Sequence, residues 1–241
     1  MPDMPVAIVT GAGRGIGRAV CLGLAADGYR VALVARTEAD LRTVADQIAA
    51  AAGDPGDDST LLLPLDVADV SAVEQAVATV RERFGRIDLL FNNAGAIKLG
   101  TLDLNSEDIT GLYEVNLRGP FAFMRAVVPV MKQRQSGHIF NIASKAGKIG
   151  FAGCGAYSAT KFGLVGISES VYRELAPHGI KVTALCPSWV DTDMARTGGT
   201  PLDASQMIQP DDIMNTIRWL LSLSPAACVR ELVIECAIDV G

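Results

Sequence analysis

The stretch "GAYSATK" (Gly155 to Lys161) sets a tyrosine and a lysine four residues apart. On a helix that spacing puts Tyr157 and Lys161 on one face. A free phenol, with a pKa of about 10, holds its proton too firmly to pass it in both directions near neutral pH. An ammonium beside it stabilises the phenolate and lowers that pKa. Ser144 follows the β-prone run "GHIFNIA", and it can donate a hydrogen bond to a substrate oxygen while Tyr157 transfers a proton. Singly, each has an ordinary reading: a surface tyrosine, a turn hydroxyl, a surface lysine. Together they suit carbonyl reduction, which needs a hydride donor against the carbonyl carbon and a proton for its oxygen. The hydride must come from a cofactor that the rest of the chain holds and orients.

A place for that cofactor is written near the start. "TGAGRGIG" (Thr10 to Gly17) is a glycine-rich turn after a first strand, leading into a helix that begins near Gly15. Helix N-terminal N–H groups meet a pyrophosphate there. The common G-x-G-x-x-G fingerprint does not fit from Gly11, because Ile16 stands at its last position; the spacing is Gly11, Gly15, Gly17. A glycine turn by itself is also just a tight packing turn, and its place after strand one is what raises it above that. NAD-preferring sites put an acid near the end of the second strand, for the ribose 2′-hydroxyl. Here that end is Ala35 followed by Arg36, with Arg14 in the glycine turn able to approach the same ribose. Two guanidinium forks suit a 2′-phosphate, so the expected cofactor is NADP(H) rather than NAD(H).

The elements that must position these groups alternate in type. Short apolar runs predict seven strands: Val6 to Thr10, Arg30 to Ala35, Thr60 to Pro64, Asp88 to Asn92, Gly137 to Ala143, Lys181 to Cys186 and Glu231 to Glu235. Most lack polar alternation, as in a parallel sheet covered by helices on both faces. Between them, "EADLRTVADQIAAAA" and "VSAVEQAVATVRERF" carry apolar residues at helical steps and read as crossover helices. Ser106 to Gln135 is long for one helix, and Pro120 and Pro129 are expected to bend or break it. "GDPGDDS" (Gly53 to Ser59) reads as a surface turn. The fold class is α/β: a single Rossmann-like, doubly wound domain over residues 1–241 with no linker or repeat dividing it.

Composition narrows the functions. With 49% hydrophobic residues and 24 glycines the 241-residue chain has material for a large core. A net charge of -6 argues against a nucleic-acid partner. No apolar run approaches the roughly 20 residues a membrane helix needs. "MPDMPVAIVTGAG" lacks the basic region of a signal peptide, so a soluble cytoplasmic protein is expected. Five cysteines, odd in number and without metal-ligand spacing, read as buried small hydrophobes. Two histidines, His138 and His178, leave almost nothing for a zinc site or a His-based triad, and no metal is expected.

Taken in order, "TGAGRGIG", "NNAG" (Asn92 to Gly95), Asn116, Ser144 and "YSATK" resemble the short-chain dehydrogenase/reductase family, from Val6 to about Glu235. Ser144 stands thirteen residues before Tyr157, as that pattern has it. The resemblance implies catalysis by Asn116, Ser144, Tyr157 and Lys161, with Asn116 kinking its helix and holding a water in a proton relay. It implies cofactor contacts from Gly11, Gly13, Arg14, Gly15, Ile16 and Gly17 in the turn, and from Arg36 after strand two. Asp66 and Val67 would flank the adenine, and Asn93, Ala94 and Gly95 would pass the ribose. Pro187, Val190 and Thr192 in "CPSWVDTDM" would meet the nicotinamide, with Tyr157 and Lys161 also touching the cofactor. Two departures stand out: Pro187-Ser188 replaces the family's usual Pro-Gly, and the tail "RELVIECAIDVG" lacks the glycine pair of many 3-oxoacyl carrier-protein reductases.

The function implied is an NADP(H)-dependent oxidoreductase interconverting a ketone or aldehyde and an alcohol. A 3-oxoacyl thioester reductase is the alternative, with Arg134 and Arg173 resembling a basic patch for an acyl carrier protein, or being ordinary helix-surface arginines. A catalytically silent NADP-binding regulatory protein would be expected to lack Ser144, Tyr157 or Lys161, and all are here. A sugar-nucleotide epimerase needs a longer chain for its substrate domain. The loop Trp189 to Gln209 is the expected lid, and its Trp189 and Met194 suit an apolar substrate. The helices Ser106 to Gln135 and Ala156 to Ala176 resemble the contact of family homodimers and homotetramers.

Overall fold

The computed structural model describes residues 4–53 and 59–238. Its seven strands are β1 (Val6–Thr10), β2 (Arg30–Ala35), β3 (Thr60–Pro64), β4 (Leu89–Asn92), β5 (Gly137–Ile142), β6 (Ile180–Pro187) and β7 (Glu231–Ile234). They lie in the order β3-β2-β1-β4-β5-β6-β7, and every pair is parallel. Each expected strand is present, with ends within one residue of those read from the sequence.

Why the central strands are uniformly apolar is now visible. All of β1 is buried, and its alternate residues feed two cores. Val9 packs with Leu33 and Phe91 on one face, while Ile8 packs with Val34 and Leu90 on the other. Helices α1 (Gly15–Ala26), α2 (Glu38–Ala52) and α8 (Pro210–Ser222) cover the first face. The second is covered by α3 (Val70–Phe84), α5 (Gly119–Arg134) and α6 (Gly155–Leu175). β7, at the edge, alternates exposed and half-buried residues.

Between α3 and α5 the helix breaks at Asn116, as the resemblance implies, and the two prolines do less than expected. Helix α4 (Ser106–Tyr113) passes into a π-helical turn, Glu114–Arg118, before α5 begins. The break therefore centres on Asn116. Pro120 sits in the first turn of α5, where its missing N–H is no loss. Pro129 does not end the helix, which runs on to Arg134. Val127, Val130 and Met131 are buried around it, so packing on the sheet outweighs the one hydrogen bond that proline removes. The expected turn at Gly53 to Ser59 lies mainly outside the described residues, as do residues 1–3 of the amino-terminal stretch; Gly53 itself caps α2 with φ 70°.

One polar chain ties α6 to the sheet. Asn92 Nδ2 donates to Asn141 Oδ1 at 2.8 Å, and Asn141 Nδ2 donates to Ser168 Oγ at 2.8 Å. Buried polar groups persist only when paired. This pairing fixes the register of the helix that carries Tyr157.

Candidate active site

Strand order reverses direction of growth between β1 and β4, and ligands of open α/β sheets bind outside the carboxyl ends at such a switch point. The loops there are stitched together. Thr10 Oγ1 accepts from the N–H groups of Asn93 (2.9 Å) and Ala94 (3.0 Å), while Asn93 Nδ2 donates to the carbonyls of Thr10 and Gly11. Gly11 has φ +65°, and a Cβ on Gly17 would lie 2.1 Å from the Gly11 carbonyl oxygen. The turn thus needs glycine at both places. α1 then starts with no side-chain cap and no acid in its first turn, leaving its N–H groups for an anion.

Above the strand ends opens a cavity of about 1650 Å³. Every residue assigned above to catalysis or to the cofactor lines it except Gly17 and Asn116. Gly17 acts from behind, by the close approach just described. Asn116 is fully buried: its Oδ1 accepts from Ala96 N at 2.8 Å, and its Nδ2 donates to Ala96 O (2.9 Å) and Thr160 Oγ1 (3.1 Å). Its side chain is thus spent on holding the "NNAG" loop to α6.

At the end of the cavity beside β2 the two arginines differ. Arg14 lies 3.6 Å from Asp193, the first residue of helix α7 (Asp193–Thr197). Arg36 stands exposed on the rim with no ion pair among the described residues. Thr37 and Asp40 line the same end, and sequence reasoning missed both. Thr37 was legible as a helix N-cap type, and its hydroxyl makes no capping bond.

At the other end stand Tyr157 and Ser144, whose hydroxyl is near enough to act on the phenol. Ser144 Oγ accepts from Ala146 N at 3.1 Å. Tyr157 is 8% exposed, and burial pushes its phenol up to about 12 against the lowering effect of Ser144. Lys161 is pushed down to about 8 by the same cause. Its Nζ donates to the Ile142 carbonyl at 2.8 Å and lies 5.6 Å from the Tyr157 ring centre. The expected helix face is there, but the expected lowering of the phenol is not: the ammonium is turned to a backbone carbonyl, and desolvation dominates.

This burial has a measurable consequence. Lys161 in the folded protein gives up its proton near pH 8, and in the unfolded chain near 10.5. Between those values the unfolded chain binds more protons, so stability rises with pH, by about 3 kcal/mol across the window. Lys161→Met is expected to lose that rise while keeping the contributions of all other groups. Urea midpoints of both proteins at about pH 7 and pH 10 read the difference; identical pH dependence would contradict the buried ammonium.

The loop Trp189 to Gln209 closes at a neck, where Val190 bridges Ile208 and Ile208 N donates to Trp189 O at 3.0 Å. Leu99, Leu102, Phe151, Trp189 and Met194 are among the residues that line the same cavity as Tyr157. Among the described residues no cluster suited to a metal occurs, and no helix is long and apolar enough to cross a membrane.

A doubly wound sheet with an anion-ready helix start and a Ser-Tyr-Lys group at its switch point defines a dinucleotide-dependent oxidoreductase. The sequence pattern of the short chain dehydrogenases matches residues 5–201, and the chain belongs to that family. A 3-oxoacyl-[acyl-carrier-protein] reductase of Synechocystis sp. is 37% identical over 232 residues, covering 92% of this chain and 90% of the relative. A solved betaketoacyl-[ACP] reductase from Bacteroides thetaiotaomicron is 40% identical, with 97% of each chain covered and a TM-score of 0.84. An alcohol dehydrogenase from Thermococcus sibiricus, solved with 5-hydroxy-NADP, is 30% identical over 97% of each chain, with a TM-score of 0.87.

Proposed function

We propose that the chain interconverts a ketone or aldehyde and an alcohol using NADP(H). The observation that carries this reading is the convergence of Ser144, Tyr157 and Lys161 in the same cavity as the uncapped start of α1. The residues fit the dinucleotide. Gly11 and Gly17 leave the turn without side chains where a backbone must pass, Arg36 has no ion pair among the described residues and suits a 2′-phosphate, and Asp66 and Val67 line the same cavity. When bound, NADP(H) supplies or accepts the hydride. Tyr157 gives the proton to the carbonyl oxygen, and Ser144 donates a hydrogen bond that strengthens as that oxygen gains charge. Lys161 holds positive charge at the buried end, and oxidised nicotinamide adds to it, so both oppose the desolvation that raises the phenol. Asn116 acts by positioning Ala96 and Thr160. Pro187, Val190 and Thr192 support the nicotinamide end.

Reduction of apolar ketones is favoured by the walls of Leu99, Leu102, Phe151, Trp189 and Met194. The acyl-carrier-protein reading is favoured by the relatives just described. It gains nothing from Arg134 and Arg173. Arg134 lies 3.9 Å from Asp88 and Arg173 2.7 Å from Glu169. Arg173 also stands roughly 24 Å along α6 from Tyr157. A silent regulatory role is disfavoured by the convergence of all three reactive side chains. Ile109, Tyr113, Phe121 and Phe162, exposed on α4, α5 and α6, support a homodimer or homotetramer. Five free cysteines fit a reducing cytoplasm.

NADPH oxidation across apolar ketones, aldehydes, quinones and 3-oxoacyl thioesters tests the proposal. The expected result is turnover with at least one ketone or aldehyde and the highest kcat/KM on apolar ones. Absence of NADPH oxidation with every carbonyl would sink it, and preference for a carrier-bound thioester would move it to the alternative.

A further inference from the structure

The chain's last described segment grips the base of the substrate loop. β6 and β7 pair as far as Pro187 and Ile234, and Ser188 N then donates to Ile234 O at 2.8 Å. Beyond that point side chains take over. Cys236 N donates to Ser188 Oγ at 2.9 Å, and Ser188 Oγ in turn lies 3.3 Å from Cys236 Sγ, to which it donates. The Cys236 thiol donates to Trp189 O at 3.1 Å. Cys236 is 4% exposed, so these bonds are shielded from water. Next to it, Glu235 pairs at 2.8 Å with Lys145, the residue after Ser144, whose side chain is almost wholly buried. Residues 235 and 236 therefore hold both the serine turn and the loop base.

What this grip positions is Trp189. Its carbonyl is fixed from two sides, by the Cys236 thiol and by Ile208 N. Its ring packs over Gly198, where a Cβ would lie 3.1 Å from Cζ3 and 3.2 Å from Ile97 Cδ1. The indole is thus a wall of the cavity, set by a backbone that Ser188 and Cys236 hold. A glycine at 188 has no atom to take the Cys236 N–H, and an alanine at 236 leaves a Trp189 carbonyl contact unmade.

We propose that Ser188 and Cys236 are positioning residues for the reaction: together they fix Trp189 as the wall that selects apolar carbonyl substrates, while leaving proton transfer at Tyr157 untouched. The proposal rests on the carbonyl-reductase reading for its kinetic half only.

The test uses a Trp219→Phe background, in which Trp189 is the single tryptophan, since the chain has two. Ser188→Gly, Cys236→Ala, their double variant and the conservative Cys236→Ser are compared by acrylamide quenching of Trp189 and by steady-state kinetics with a bulky apolar ketone and a small one. Ser188→Gly and Cys236→Ala are each expected to raise quenching. Each should raise KM for the bulky ketone about tenfold, the factor for one buried hydrogen bond, with kcat and the small ketone's KM within about twofold. The double variant should fall short of the sum of the two single ones, because both lose the Ser188 Oγ–Cys236 Sγ contact while each also loses a bond of its own. Cys236→Ser, which keeps an acceptor and a donor, should stay near the parent. Unchanged quenching and KM in both single variants would overturn the proposal. So would a parallel fall of kcat and of activity on both ketones, which marks mere destabilisation. A parent protein that reduces no carbonyl defeats the function proposed above instead, and the quenching comparison then still decides whether the grip holds Trp189.

Discussion

Tyr157→Phe is expected to bind NADPH as tightly as the parent protein and to lose turnover by about 10²- to 10⁴-fold, the usual contribution of a positioned acid or base. The substitution removes one oxygen and keeps the ring that is buried between α6 and the cavity. Ser144 still accepts from Ala146 N, so the turn after β5 is retained. No glycine of the dinucleotide turn touches the change. The loss should therefore fall on kcat, with fluorescence titration of NADPH giving an unaltered Kd. Burial raises this phenol to about 12 in the cofactor-free protein, so it is fully protonated at neutral pH, ready to give a proton to an alkoxide in reduction. Alcohol oxidation needs the proton taken instead, and should gain more steeply from alkaline pH than reduction does. Undiminished reductase turnover in Tyr157→Phe would remove Tyr157 from the mechanism.

The second large effect concerns the cofactor. Arg36→Ala is expected to weaken NADPH binding about 10- to 100-fold, the range for losing charge-assisted hydrogen bonds, while changing NADH affinity little. Arg36 is the better candidate of the two arginines because it has no ion pair among the described residues, whereas Arg14 is held near Asp193. Arg14→Ala should therefore have the smaller effect, since exposed pairs contribute little. The NADPH preference should also shrink at high salt, as a surface guanidinium is screened. Calorimetric titration of both dinucleotides into both variants reads the outcome. Equal affinity of the parent protein for NADH and NADPH would refute a 2′-phosphate site at Arg36.

Much of the fold was legible because it rests on local rules. Continuous apolar runs such as "VAIVT" and "RVALVA" can be buried on both faces only in a parallel sheet under two helical layers, and this is where they lie. Helical periodicity marked α2 and α3 from end to end. The long segment after Ser106 was less legible. Proline chemistry pointed to Pro120 and Pro129, whereas the break formed at Asn116, where only the family resemblance had put it and where its amide is needed by Ala96 and Thr160. Those partners are close only after folding.

By itself the sequence determined which groups are present and their local geometry: a glycine turn after strand one, a hydroxyl after strand five, and a phenol and an amine on one helix face. Tertiary structure alone decided their energetics. It turned Lys161 toward Ile142, raised Tyr157 rather than lowering it, set Arg14 against Asp193 while leaving Arg36 without an ion pair among the described residues, and brought Cys236 to Ser188. The physical reason is one of range. Backbone periodicity is set by neighbours a few residues away, whereas desolvation and through-space hydrogen bonds depend on which distant segments the sheet brings together.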